Sequence, residues 1–209
     1  MNKKILSIDF DIIMHLSINL YNIYVEEADD PEELWKELEE EYEYEKYNLL
    51  KYDKEVLINI IKLLKANLNK PIHFIQNHEE IVDLLKETEN YENTQYDIYN
   101  IDFHHDIWYN KQDFYYINKH DEYNCANWIG YLFLKKKLSS ITWLKAPKSI
   151  SPNFASYELK NKLTELTLKN FNQLKDIDFD EVYFCLSPQW IPPRYRIFYQ
   201  IIKELLEKE

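Results

Sequence analysis

Two short segments of the sequence carry acidic and imidazole side chains at a spacing of two residues. The first holds Asp9 and Asp11, and the second holds Asp102, His104 and Asp106. Side chains two residues apart lie on the same face of an extended chain, so the members of each segment can converge on one ligand. Carboxylate oxygens and imidazole nitrogens together bind divalent metal ions. The spacing predicts a metal site. The alternatives are a polar strand end that caps a helix and, for the first segment, a buried carboxylate pair.

The positions of these segments strengthen the prediction. The run KKILSI precedes Asp9, YDIYNI precedes Asp102, and PIHFIQ stands just before His78. Each run has the length and apolar content of a buried strand, and the residues after His78 read as a helix. In parallel α/β folds, ligands bind beyond the carboxyl ends of the strands. Three predicted strands therefore end in potential metal ligands.

Strand-like runs alternate with stretches whose apolar residues recur at helical spacing, and no hairpin turn separates them. This pattern predicts an α/β fold, a three-layer sandwich with a mostly parallel sheet and helices on both faces. We expect the strand that ends at Asp9 to lie beside the strand that ends at Asp102. We predict helices over about 53–68, about 154–174 and from Pro193 onward, and a tyrosine-rich loop after Asp106.

Composition narrows the class of protein. The length of 209 residues predicts one domain over 1–209. Gly130 is the single glycine, which excludes glycine-rich phosphate loops. No apolar run is long enough for a membrane-spanning helix. Two acids within the first eleven residues argue against a signal peptide, and two cysteines provide no disulfide framework. We therefore expect a cytoplasmic protein.

Charge is distributed unevenly along the chain. The formal net charge is −12, and 26–46 alone holds twelve acidic residues and two lysines. We interpret about 26–50 as an acidic helical insertion, most simply a solvated helix, with a basic partner on this helix as the alternative. The remainder carries no basic stripe, so nucleic acid and anionic membrane surfaces are not expected partners.

The two motifs resemble those of a known family. Asp102-x-His104-x-Asp106 matches the Asp-x-His-x-Asp motif of the arginase-like (ureohydrolase) metallohydrolases, and Ser7-x-Asp9-x-Asp11 is similar to the start of their Ser-x-Asp-x-Asp motif. His78, between a strand and a helix, resembles their remaining histidine ligand. The segments CANWIGYL and SPQW look closest to the peptide arginases. The sequence departs from ordinary arginases in carrying the serine–aspartate motif at its start, without the usual Asp-Pro ending.

The resemblance implies an arginase/deacetylase-like fold and a site with two Mn²⁺ ions that activate water. The implied reaction is hydrolysis of a guanidino group, on an arginine-containing peptide or a small guanidino substrate, with peptidyl arginine giving ornithine and urea. The implied metal ligands are Asp9 and Asp102, bridging both ions, His78 and Asp106 on one ion, and His104 and Asp11 on the other.

The remaining functional residues are hypotheses on the same basis. The leaving amine needs a proton shuttle, for which His105 and His120 are the candidates. Asn124 and Asn127 lie close to an apolar helix face and are candidates for substrate binding.

Two other classes of function remain open. Asp9 and Asp11 after an apolar strand also resemble the nucleophile strand of haloacid-dehalogenase-type phosphatases, although no convincing downstream acidic pair follows. A non-catalytic acidic interaction protein, of the immunity or antitoxin type, would keep the fold without turnover. Metal content separates both enzymes from the interaction protein, and release of urea rather than phosphate separates the two enzymes.

Overall fold

The computed structural model describes residues 2–17, 33, 35–36, 52–152 and 156–208. Apart from 33, 35 and 36, the acidic insertion predicted at about 26–50 lies outside these residues. Trp35 is the exception that matters for the site, since its side chain is buried and its indole N–H donates to the carbonyl oxygen of Gln189 at 3.0 Å. Trp35 is therefore anchored beside the turn that follows the last strand.

The centre of the fold is one six-stranded sheet in which every pairing is parallel. The strand order is β2-β6-β1-β3-β4-β5. The prediction of a parallel α/β sheet is confirmed, and so is the pairing of the strand that ends at Asp9 with the strand before Asp102. The strands are β1 (Asn2–Asp9), β2 (Ile72–Ile75), β3 (Gln95–Ile101), β4 (Leu138–Lys145), β5 (Leu163–Thr167) and β6 (Glu181–Cys185).

Helices cover both faces of this sheet. The α-helices described over 52–152 and 156–208 are α1 (Lys54–Ala66), α2 (Glu80–Lys86), α3 (Lys111–His120), α4 (Trp128–Leu134), α5 (Tyr157–Lys162) and α6 (Pro193–Leu206). Side chains alternate across a strand, so Leu6 and Ile8 of β1 join a core with α1 and α6, whereas Ile5 joins a second core with α2 and α4. None of the described helices has the length and apolar content needed to cross a membrane.

This arrangement opens a cleft at the carboxyl end of the sheet. β1 runs into a 3-10 helix, Phe10–Ser17, and the side chains of Phe10, Ile12, Ile13 and Met14 pack in the core of α1 and α6. The chain after β3 leads instead to α4, on the opposite face. Because the connections from two adjacent strands diverge, their carboxyl ends remain accessible, which is where ligands bind in open α/β sheets.

Two predicted elements are wrong. The tyrosine-rich segment after Asp106 is not all loop, because α3 forms there with Ile117 as its buried anchor and several aromatic rings exposed. The helix predicted over about 154–174 is instead the short α5, strand β5 and a 3-10 helix at Leu168–Leu174. β5 is an edge strand that pairs only with β4, so its sequence lacks the apolar run of a central strand.

Candidate metal centre

His78 is the centre of a cluster of carboxylates. Its Nδ1 atom lies 2.8 Å from Oδ2 of Asp106 and 3.5 Å from Oδ2 of both Asp9 and Asp102. All four side chains are almost completely buried. Since the Asp9 and Asp102 oxygens lie at the same distance from one nitrogen, they are separated by no more than twice that distance. The carboxyl ends of β1, β2 and β3 therefore converge as the sequence predicts.

His104 forms a second group beside the first. Its Nδ1 atom lies 3.1 Å from Oδ2 of Asp11 and 3.8 Å from Oδ1 of Asp102. The His104 side chain is 15% exposed, whereas that of His78 is 2% exposed. The His104 side chain is therefore the more exposed of the two imidazoles.

Asp102 belongs to both groups. Its Oδ2 atom faces His78 and its Oδ1 atom faces His104, so one carboxylate spans two imidazoles. Within the described residues, three sets of donor atoms lie close enough together to hold an ion, and two of them share Asp102. The sets are Asp11, Asp102 and His104; His78, Asp102 and Asp106; and Asp9, His78 and Cys185.

Tight turns at the strand ends orient the carboxylates. Oδ1 of Asp9 accepts the backbone N–H of Asp11 at 2.9 Å, and Oδ1 of Asp102 accepts that of His104 at 2.8 Å. These are Asx-type turns, in which a side chain replaces a backbone acceptor. Asp106 has a left-handed backbone with φ of 52°. Such strained conformations are retained mainly at functional sites, where the surrounding structure holds them.

Helix α4 fixes Asp106 from the other side. The indole N–H of Trp128 donates to Oδ2 of Asp106 at 2.8 Å, and the backbone N–H of Ile129 donates to the Asp106 carbonyl at 3.0 Å. Gly130 is required for this contact, because a Cβ atom there would stand 1.9 Å from the carbonyl oxygen of Ile107. The one glycine of the sequence therefore lets α4 approach the site.

Other polar groups orient the remaining donors. Ser187 Oγ donates to Oδ2 of Asp9 at 2.7 Å, and the amide of Asn100 donates to Oδ2 of Asp102 at 3.1 Å. His78 Nε2 lies 3.3 Å from the hydroxyl of Ser7, which leaves Nδ1 facing the carboxylates. Partners of this kind fix the orientation of metal ligands and the tautomer of histidine ligands.

The pKa values of the cluster show that burying these charges together is unfavourable. Burial, reinforced by Asp11, raises the pKa of Asp9 to about 7. Burial and the neighbouring Asp106 also raise the pKa of Asp102 well above its usual range. Burial alone would lower the pKa of His78, but the carboxylates of Asp9 and Asp106 outweigh it and raise that pKa to about 9. Without a further cation, the cluster retains protons that its carboxylates would otherwise lose.

A divalent cation fits this donor set. Four carboxylates and two imidazoles supply oxygen and nitrogen donors around a region where like charges are crowded and buried. Hard divalent ions such as Mn²⁺ prefer these donors, and binding would replace the retained protons with positive charge. The buried cluster can therefore hold metal.

A cavity of about 300 Å³ lies above the cluster. Trp190 and Tyr109 supply its aromatic walls, and the Trp190 ring centroid lies 5.0 Å from that of His104. No lysine or arginine is among the described residues that line it. The lining residues are Asp9, His78, His104, Asp106, Tyr109, Cys125, Ala126, Ser187 and Trp190.

The candidate proton shuttles do not line this cavity. His105 is buried, its ring stacks on Tyr109 with centroids 4.2 Å apart, and its Nδ1 accepts the backbone N–H of Ile107. Burial lowers the pKa of His105 to about 4. His120 is exposed at the end of α3, beside the rings of Tyr115 and Tyr116. The structure thus brings together the six predicted metal ligands but neither histidine proposed for proton transfer.

Asn124 and Asn127 also lie away from the carboxylates. They line a separate cavity of about 220 Å³, and the two residues between them line the first cavity. Oδ1 of Asn127 accepts the backbone N–H of Asn124, so both residues shape this turn. The two residues predicted to bind substrate therefore line a neighbouring pocket rather than the cavity above the carboxylates.

Sequence reasoning gives no role in the site to Ser187, Cys125, Trp128 or Tyr109, although SPQW and CANWIGYL contain three of them. Ser187 and Trp190 follow β6, and a polar turn directly after a strand is the signal that points to Ser187. The places of Cys125 and Trp128 depend on how α4 packs against the sheet. Tyr109 resembles many other tyrosines of the chain.

The expectation of an arginase-like family rests on the sequence motifs alone. Comparisons with protein-family models, curated proteins and solved structures find no match for this chain. What is established is an α/β protein with an all-parallel sheet, whose strand ends hold a buried aspartate–histidine cluster able to bind metal.

Proposed function

We propose that this protein is a manganese-dependent hydrolase with two metal ions, acting on the guanidino group of arginine within a peptide. Water adds to the guanidino carbon, the bond from that carbon to the side-chain nitrogen breaks, and ornithine and urea result. The observation that carries the proposal is the Asp102 carboxylate, whose two oxygens face the imidazoles of two adjacent donor groups. A carboxylate shared in this way can hold two ions at the separation of about 3.5–4 Å that two-metal hydrolytic sites use.

The six predicted ligands divide naturally between two ions. His78 and Asp106 would hold one, His104 and Asp11 would hold the other, and Asp9 and Asp102 would contribute to both. Two ions bound there would polarise the substrate and lower the pKa of water. The chain itself fixes the donors, because Ser187 holds Asp9 and Trp128 holds Asp106.

The charge and shape of the cavity above the cluster suit a substrate whose reacting group is cationic. Its floor is anionic, and the flat rings of Trp190 and Tyr109 stand on its walls, where they can pack against a planar guanidinium and exclude water. The described lining offers no basic side chain for the carboxylate of a free amino acid. An arginine whose carboxylate is already in a peptide bond avoids that requirement.

The phosphatase alternative has weaker support. A phosphate substrate carries negative charge, whereas the described lining of the cavity holds carboxylates and no lysine or arginine. We also propose a cytoplasmic location, since Cys125 and Cys185 are free thiols and the cytoplasm keeps thiols reduced.

The test is urea release by manganese-loaded protein from N-acetyl-arginine-N-methylamide, with phosphate release from p-nitrophenyl phosphate measured in parallel. We expect urea and no phosphate, loss of urea release after chelation, and its return with Mn²⁺. Asp102→Asn should abolish the reaction. Asp97→Asn is the matched control on the same strand, because Oδ1 of Asp97 accepts the Ser140 hydroxyl at 2.7 Å and an amide oxygen replaces it. Phosphate release, or no turnover in metal-loaded protein, would contradict the proposal.

A further inference from the structure

A second cavity adjoins the one above the carboxylates. It measures about 220 Å³ and is lined by Tyr116, Glu122, Tyr123, Asn124 and Asn127. Cys125 and Ala126 line the first cavity, so the two cavities share the four-residue turn 124–127 as a wall. A ligand that crosses this turn can occupy both cavities.

Asn127 presents a buried donor to the second cavity. The residue is 3% exposed, and its Oδ1 atom accepts the backbone N–H of Asn124 at 2.9 Å, which fixes the orientation of the amide. The Nδ2 atom has no hydrogen-bond partner within the part of the chain that the structure describes. This atom is not among the fully buried atoms that lack a partner, so it remains accessible from the cavity and can donate to a ligand there.

The surrounding residues define the chemistry of that ligand. Asn124 is oriented in the same way, because its Oδ1 accepts the backbone N–H of Ala126 at 3.0 Å. Its Nδ2 is a second donor at the same cavity. Glu122 adds a carboxylate acceptor, and the rings of Tyr116 and Tyr123 add flat apolar surface. A peptide group, which has one carbonyl acceptor and one N–H donor in a plane, matches this set.

We propose that the second cavity is a subsite for a main-chain peptide group of the substrate, adjacent to the residue whose side chain enters the first cavity. This inference rests on the proposed function. Asn127 and Asn124 donate to the substrate carbonyl, and Glu122 accepts its N–H. The second cavity therefore distinguishes arginine in a peptide from a simple alkylguanidine, which has no group to place there.

The experiment measures binding rather than turnover, by calorimetry on chelated, metal-free protein, which keeps both cavities and does not hydrolyse the peptide probe. The probes are N-acetyl-arginine-N-methylamide, with two peptide groups, and butylguanidine, with none. We expect the peptide probe to bind more tightly to the unmodified protein. Asn127→Asp keeps the oxygen that accepts the Asn124 N–H but replaces the donor with an anionic oxygen, and it should weaken peptide binding by about tenfold. Butylguanidine binding should not change.

Two further variants complete the design. Asn124→Asp should also weaken peptide binding, and it provides an independent test if Asn127→Asp fails to fold. Asn172→Asp is the charge-matched control, since Oδ1 of Asn172 accepts Lys175 Nζ at 2.6 Å far from either cavity. It should leave both affinities unchanged.

The outcomes separate this inference from the proposed reaction. A binding preference that Asn127→Asp removes supports the subsite, even if neither probe releases urea, in which case only the proposed hydrolysis fails. Equal affinity for both probes, a preference that both asparagine variants retain, or no binding of either probe would overturn the subsite.

Discussion

The two halves of the candidate metal centre differ in how strongly the fold holds them. His78 is enclosed, with Ser7 on one ring nitrogen and three carboxylates around the other. His104 contacts two carboxylates, borders the cavity and packs against Trp190. Both histidines have raised pKa values, although burial opposes the rise in each case. At His104, burial is opposed by the hydrogen bond to Asp11 and by the charges of Asp11, Asp106 and Asp9, which together outweigh it and raise the pKa.

This difference indicates that the two histidines beside Asp102 contribute differently to the stability of the site and to substrate binding. The enclosed half is organised in advance by side chains from β1 and α4, so it serves the stability of the site as well as metal binding. His78, Asp9, Asp106 and His104 all line the cavity, but His104 is the more exposed of the two imidazoles and packs against Trp190 on the cavity wall. The following predictions test that contrast.

The largest effect is expected from removing the enclosed imidazole. His78→Asn should lower the free energy of unfolding of metal-free protein by about 3 kcal/mol, because it leaves buried carboxylates without their cationic partner. His104→Asn should cost about 1 kcal/mol, since its side chain is partly hydrated. Urea denaturation at pH 6.5 with chelator measures both values. Equal destabilisation by the two variants would contradict the difference between the two histidines. Each variant should reduce metal content.

A pH dependence should accompany the raised pKa of His78. In metal-free protein, His78 retains its proton to about pH 9, whereas the unfolded chain loses it near 6.5. The folded state therefore binds more protons between these values, so stability should be greatest below pH 6.5 and fall as pH rises toward 9. The lowered pKa of His105 makes stability rise with pH, but only between about pH 4 and 6.5.

Calorimetric melting temperatures between pH 6.5 and 9 check this expectation. His78→Asn should flatten the slope. Metal affinity should rise over the same range, because binding must displace the His78 proton. A melting temperature that increases with pH in the chelated protein would show that His78 is not protonated as the geometry requires.

The smallest effect concerns the indole that holds Asp106. Trp128→Phe keeps an aromatic ring in the core but removes the N–H that donates to Oδ2. We expect about a tenfold loss of manganese affinity, the size typical for a group that orients a metal ligand. Manganese titration measures it. Trp190→Phe, which alters the ring packed against His104, is the comparison and should leave metal affinity unchanged while weakening guanidino substrates.

The sequence predicts the parts of this molecule that depend on local pattern. Apolar runs identify β1, β2 and β3, and the two-residue spacing identifies the ligands at the ends of β1 and β3, because strand geometry alone decides which side chains share a face.

The parts that depend on packing between distant segments were not predictable. Trp128 reaches Asp106 only because Gly130 lets α4 approach, and no local pattern encodes that contact. The assignment of Asn124 and Asn127 to a second cavity follows from the same docking. Edge strand β5 has too little apolar patterning to be distinguished from the helix before it.

The central claim is that Asp102 joins two metal-binding groups, and the electron paramagnetic resonance spectrum of manganese-loaded protein tests it most directly. The account predicts two manganese ions per chain with the spectrum of an exchange-coupled pair, and loss of that coupling in Asp102→Asn. The variant should remain folded, because Oδ1 of Asn100 has no hydrogen-bond partner among the described residues and its amide can turn to accept from the new side chain. Uncoupled ions in the unmodified protein, or equal spectra for the protein and the variant, would contradict the account.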